Sequence, residues 1–310
     1  MSELFNMNIK NINNYVSKKN EKDKDTEEFM LFRKNCCRSI NKNIIVKKNS
    51  VSTLENTILF MGISELNIGK IITLNQLLKS NLNCVIGIDN KYYKNVEEFN
   101  KHIIKYSDYI TKKLNSNVDQ FIKCSKTILN NNNLIQKYGK KIGNFNGRWN
   151  DNPSKLGTLE WFNNSNYEYF WYIEDDIYCK NYNLFINKYN NNTDDLISII
   201  NENHLPFWYY TGWKVGDMCH GFEHAHLYIT RYSKQYSNCF FNFFKETKTT
   251  SHHELFIPYV LNYYHLTFSN LLDEHKLYLH INNGKTKWFN LSDNNISNID
   301  ANIFHPFKIT

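Results

Sequence analysis

Hydrophobic and polar positions along this chain fall into two kinds of stretch. Short unbroken apolar runs at 57–62 (Thr-Ile-Leu-Phe-Met-Gly), 83–90 (Asn-Cys-Val-Ile-Gly-Ile-Asp-Asn) and 169–173 (Tyr-Phe-Trp-Tyr-Ile) are too short for free-standing helices and rich in strand formers. They predict buried strands. Stretches 66–78 and 96–114 instead carry apolar residues at helical spacing. Strand, helix, strand at these intervals predicts the βαβ unit of a parallel sheet. Residues 118–124 predict a third strand, and 155–161 a short helix leading into the run at 169–173. Further on, 184–189 reads as a helix, 194–200 as a strand, 224–230 as a strand with one polar face and 231–245 as an aromatic-rich helix. A helical stretch then ends at Leu266, and a late strand covers 276–281. Upstream, 26–40 predicts a helix with Glu27 and Glu28 in its first turn and Arg33, Lys34 and Arg38 later, an order that suits the helix dipole. A short strand at 44–47 follows it.

Composition narrows the class. With 310 residues the chain can bury a sizeable core, and 41% hydrophobic with 15% aromatic residues predicts a folded globular protein. Its polarity comes mostly from Asn and Lys scattered throughout, so Asn runs carry little meaning. The net charge of +7 is spread along the chain, which mildly favours acidic or phosphorylated ligands and gives no nucleic-acid footprint. Seven cysteines form no CxxC pair, which predicts reduced thiols in a cytosol-like compartment. No apolar run approaches the roughly 20 residues of a membrane span, and no apolar signal core opens the chain. The expectation is a soluble, cytoplasmic, unprocessed protein.

The chemistry concentrates where the run at 169–173 meets Glu174, Asp175 and Asp176. Three adjacent carboxylates at the end of a buried strand repel one another, and desolvating them costs several kcal/mol each, roughly, unless a cation or donors compensate. Either this is a solvated acidic turn, or it holds a divalent cation; the flanking apolar residues, with Ile177 and Tyr178 beyond, favour the cation. Oxygen ligands suit Mg²⁺ or Mn²⁺, and in open α/β sheets ligands bind at the carboxyl ends of the strands.

Other candidates surround this one. Asp89 ends the second strand, where an acid either takes a ribose hydroxyl or base N–H or caps the following helix. Gly139, Gly143 and Gly147 lie among basic residues in a loop, and Arg148 and Lys155 are phosphate partners or ordinary surface cations. Trp208, Tyr209, Tyr210 and Trp213 either line an acceptor groove or fill the core. His220, His224 and His226 lack HExxH spacing and fit a strand face better than a zinc site. Glu254, after His252 and His253 at a loop-to-helix junction, is a candidate general base or a helix N-terminal acid.

The order of these motifs resembles glycosyltransferases of the GT-A fold. Gly-Ile-Asp at 87–89 resembles their donor-base strand, and Trp-Tyr-Ile-Glu-Asp-Asp-Ile at 171–177 a variant DxD motif with Glu174 at the first acidic position. His253-Glu254 resembles the catalytic-base region of inverting members, and His305-Pro306-Phe307-Lys308 the late histidine that completes the metal shell. The resemblance implies a Rossmann-like, mostly parallel sheet flanked by helices in one large domain at 51–310. Its nucleotide part would be about 51–180 and its acceptor part about 181–310, after a partly mobile extension at 1–50. It implies Mn²⁺ or Mg²⁺ held by Glu174, Asp176 and His305, a nucleotide-sugar donor (a UDP-sugar favoured) contacted by Asp89, Arg148, Lys155 and Asp175, and a glycan or other hydroxyl acceptor deprotonated by Glu254. Two other readings of the residues remain: a Mg²⁺-dependent nucleotidyl- or phosphotransferase, and a non-catalytic glycan-binding protein on the same fold.

Overall fold

The computed structural model describes residues 50–80, 82–130, 153–201, 224–247, 257, 260–261, 263–271, 277–279, 281–282, 285–286 and 302–305, with only the backbone described at 153–155, 200–201, 224–227, 244, 246–247, 277–279, 281–282, 285–286 and 305. In chain order the first half contains β1 (Thr57–Ile63), α1 (Ile68–Leu78), β2 (Cys84–Asp89), α2 (Val96–Lys105), α3 (Ser107–Lys112), α4 (Val118–Lys123), β3 (Ser125–Leu129), α5 (Pro153–Asn163) and β4 (Tyr169–Glu174). The second half contains β5 (Tyr178–Cys179), α6 (Tyr182–Asn187), β6 (Leu196–Asn201), β7 (His224–Ser233), α7 (Lys234–Thr247), β8 (Phe268–Asn270), β9 (Leu277–Leu279), β10 (Ile281–Asn282), β11 (Lys285–Thr286) and β12 (Ile303–His305).

Strand β1 lies beside the central strand β4 in a seven-stranded sheet of order β3-β2-β1-β4-β7-β6-β8. It pairs in parallel with β2 and β4, and Gly62 stands level with both Gly87 and Glu174. Within the sheet only β7 runs against its neighbours β4 and β6, and β8 is parallel to β6. The mostly parallel sheet expected from the βαβ spacing is therefore present, with helices on both faces. Alternation divides the core in two. Ile58, Phe60, Val85, Phe170 and Tyr172 pack with Leu159 and Phe162 of α5 and Tyr236 and Phe240 of α7. Leu59, Met61, Ile86, Ile88, Trp171 and Ile173 pack with Ile71 and Leu74 of α1, Phe99 of α2, Phe121 of α4 and Phe185 of α6. Strands buried on both faces read as continuous apolar runs, which is why 57–62 and 169–173 stood out.

Asparagine, uninformative as a composition, matters at helix starts. Asn67, Asn95, Asn117 and Asn181 each accept a hydrogen bond from a first-turn backbone N–H of α1, α2, α4 and α6. These caps correct two expectations. The helix expected over 96–114 is broken at Tyr106 (φ −97°, ψ 10°) into α2 and α3. The strand expected at 118–124 is helix α4: Asn117 Oδ1 accepts from Asp119 N at 2.8 Å, Phe121 is buried, and Val118 and Ile122 pack beside it, an i, i+3, i+4 pattern. Strand β3 begins only at Ser125. A third correction concerns 231–233, which finish β7 and do not open α7. Arg231 is fully buried there, 4.3 Å from the Tyr169 ring centroid, and donates to the backbone oxygens of Asn192 (3.3 Å) and Asp194 (2.9 Å). Burial lowers its pKa to about 10, leaving it charged at neutral pH. The helix expected at 26–40 and the strand at 44–47 lie outside the described residues.

Gly87 shows how tightly the sheet is filled near the site. A Cβ there would come within 2.2 Å of Phe60 Cε1 and 3.0 Å of Leu129 Cδ1. The Phe60 ring is itself wedged against Trp161 (5.0 Å between centroids) and Phe170 (6.0 Å), so it has little freedom to retreat. Gly87→Ala is expected to destabilise the fold by about 1–3 kcal/mol through overpacking, read as a lower urea midpoint at unchanged slope.

Candidate functional site

Four parallel strands, β3, β2, β1 and β4, end along one edge of the sheet, and the acidic turn leaves from β4 there. Successive side chains of a strand point to opposite faces. Glu174 therefore follows Tyr172 onto the face covered by α5 and α7, while Asp175 follows Ile173 towards α1. The charges agree with this: Tyr172 is held well above its usual pKa by burial first and by Glu174 next, and Tyr232 on the same face is raised by burial and by Glu174.

Asp175 is tied to the protein. Its Oδ2 accepts from Ser64 N (2.9 Å) and Ser64 Oγ (2.8 Å) and lies 3.0 Å from Lys70 Nζ. Its carbonyl accepts from Thr73 Oγ1 at 2.9 Å, and Ile177 N closes the turn onto Glu174 O at 3.1 Å. Asp176 is partly exposed, yet its Oδ1 is shielded from solvent.

A small sheet of order β5-β12-β9 brings the end of the chain to this turn. β12 pairs antiparallel with β5, Ile303 facing Cys179 and Phe304 facing Tyr178. His305 follows Phe304, whose partner Tyr178 is two residues after Asp176. Asn302 fastens the junction: its carbonyl accepts from Lys180 N (2.8 Å) and its Oδ1 from Asn181 N (3.0 Å). The turn and the late histidine, more than 120 residues apart in sequence, are thus brought together by backbone pairing.

Asp89 lies on the same edge. It shares a face with Val85 and Gly87, and hence with Glu174; strand β1 separates the two, roughly 10 Å across the sheet, and Asp89 stands two residues beyond the level of Glu174. Its Oδ1 accepts from Lys91 N at 2.9 Å. It caps a turn; the following helix is capped by Asn95. Lys155 falls in the first turn of α5. Arg148, Glu254, His220 and the aromatic group at 208–213 lie outside the described residues, and His224 and His226 are in β7 as expected. Ile257 is buried, and its carbonyl accepts from Tyr236 Oη at 3.4 Å.

Among the described residues no three His, Cys, Asp or Glu side chains are grouped to hold a metal ion. Glu174 and Asp176, with an Asp176 oxygen already withdrawn from water and the His305 backbone alongside, fit the donor chemistry of Mg²⁺ or Mn²⁺. Sequence reasoning missed Ser64, Lys70 and Asn302, whose partners lie about a hundred residues away and leave no local spacing to read.

No protein-family model and no curated protein sequence matches the chain. Among solved structures it is similar to the galactosyltransferase LgtC in complex with donor and acceptor sugar analogs, at 10% identity over 69% of this chain and 73% of that one, with a TM-score of 0.42. It is also similar to the apo structure of the bifunctional glycosyltransferase WbbM, at 11% identity over 74% of this chain and 40% of that one, with a TM-score of 0.38. Likenesses this distant define no family, and the architecture rests on the strand order and register given above.

Proposed function

We propose that this chain is a glycosyltransferase that moves a sugar from a nucleotide-sugar donor, a UDP-sugar favoured, to the hydroxyl of a glycan or similar acceptor, with inversion. The observation that carries this reading is the meeting of the Glu174–Asp176 turn with the late strand of His305 at the carboxyl edge of a parallel sheet. Ligands of open α/β sheets bind at that edge.

In this assignment Glu174, Asp176 and His305 hold Mn²⁺ or Mg²⁺. The bound cation offsets the negative charge that develops on a departing diphosphate. Asp89 takes the ribose or base of the donor, Arg148 and Lys155 meet its phosphates, and Glu254 accepts the proton of the acceptor hydroxyl. Asp175, bonded through Oδ2 to Ser64 and Lys70, supports the donor site by holding the turn. Residues about 51–180 then form the nucleotide half and about 181–310 the acceptor half.

A thermal-shift panel of nucleotide sugars and nucleoside triphosphates, each with Mn²⁺ and with chelator, checks this directly. A ligand at a hundred times its Kd that binds only the folded chain stabilises it by about 2.7 kcal/mol. The expected result is a rise in Tm with a nucleotide sugar that requires Mn²⁺. A rise only with triphosphates points to nucleotidyl or phosphoryl transfer, and a response to glycans alone to a binding protein; either outcome overturns the proposal.

A further inference from the structure

Resting on the metal site proposed above, we infer that Ser64 and Lys70 are positioning residues that fix the aim of the acidic turn. Asp175 is drawn to the α1 side by three contacts: the Ser64 N–H, the Ser64 hydroxyl and the Lys70 ammonium. Lys70 is held in turn by Ser64 Oγ and by the Glu65 carbonyl at 2.8 Å. Thr73, one turn further along α1, grips the Asp175 carbonyl. The clamp therefore spans side chain and backbone of the middle residue of the turn. Glu174, the last residue of β4, points with Tyr172 to the opposite face, so fixing Asp175 against α1 holds the start of the turn between the two faces.

The clamp also places a positive charge on Asp175: the Lys70 ammonium, on a side chain only 16% exposed, lies against its carboxylate. Asp175 is thereby kept from competing with its neighbours as a third carboxylate ligand. Groups that orient ligands from outside the coordination shell are commonly worth 10–100-fold in metal affinity.

Mn²⁺ affinity of the full chain, measured by electron paramagnetic resonance without donor or acceptor, reads this role apart from turnover. Ser64→Ala removes the hydroxyl while leaving every charge in place, and is expected to weaken Mn²⁺ binding about tenfold, with Ser64→Thr restoring it. The double variant Lys70→Met with Asp175→Ala removes one charge of each sign, so the net charge is unchanged while the clamp is deleted, and is expected to weaken Mn²⁺ at least as much. Unfolding in chelator shows whether each variant is folded, and Ser64→Ala, which leaves the Ser64 backbone bond intact, serves if the double variant is not. Wild-type Mn²⁺ affinity in folded Ser64→Ala overturns the inference while leaving the metal site standing. Absence of Mn²⁺ binding by the wild-type chain overturns both.

Discussion

Asp176→Asn removes the Mn²⁺-dependent rise in Tm with donor and lowers sugar transfer by roughly a thousandfold, the scale of losing an electrostatic contact to the charge developing in the transition state. The substitution is nearly isosteric and takes one charge out of three adjacent carboxylates. In chelator the variant should therefore be as stable as the wild type or slightly more so, because like charges that cannot be neutralised by a cation only repel. This opposite response in the two media distinguishes a metal ligand from a structural acid. A structural Asp176 would lower Tm equally with and without Mn²⁺. Transfer at the wild-type rate would remove the cation from the account.

Glu254→Gln separates proton transfer from binding. A general base contributes about 10²–10⁴-fold to rate, so kcat falls by that factor while the donor Kd stays at its wild-type value. The contrast with Asp176→Asn, where donor binding and turnover fall together, is the signature of two roles on two sides of the sugar. Ile257 is buried and bonded to Tyr236 of the helix that covers the Glu174 face of the sheet. Equal losses of binding and turnover in the variant would make Glu254 a helix-terminal acid instead.

The residues that announced themselves in the sequence are those whose environment is local. Ile58 to Met61 and Phe170 to Ile173 are buried from both sides, so no polar residue interrupts them and the strand is visible without its neighbours. The acidic turn stood out for the complementary reason, three charges directly against that apolar run. Errors arose where a short pattern fits two periods. Val118, Phe121 and Ile122 satisfy a helix as well as an irregular strand, and the deciding signal was the cap at Asn117, hidden among so many other asparagines. Arg231 concealed the end of β7 because a buried charge breaks the strand pattern, and its carbonyl partners at Asn192 and Asp194 cannot be inferred from spacing.

Within the site, the acidic residues and Asp89 were legible because strand ends have a recognisable place in a parallel sheet. Ser64, Lys70 and Asn302 were not, since each acts through a contact made only when distant segments fold together. The late histidine is an intermediate case. The resemblance singled it out, but its place next to the acidic turn depends on two residues of β5 pairing with β12.

The expectations for the donor site depend on a divalent cation bound between the end of β4 and the end of β12. Anomalous diffraction from crystals of the chain grown with Mn²⁺ and a nucleotide sugar measures that directly. The predicted map has one manganese peak at ligand distance from carboxylate oxygens of Glu174 and Asp176 and from the His305 imidazole, with the diphosphate on its open side. A nucleotide sugar bound at this edge with no manganese among these residues, or manganese bound elsewhere, would contradict it.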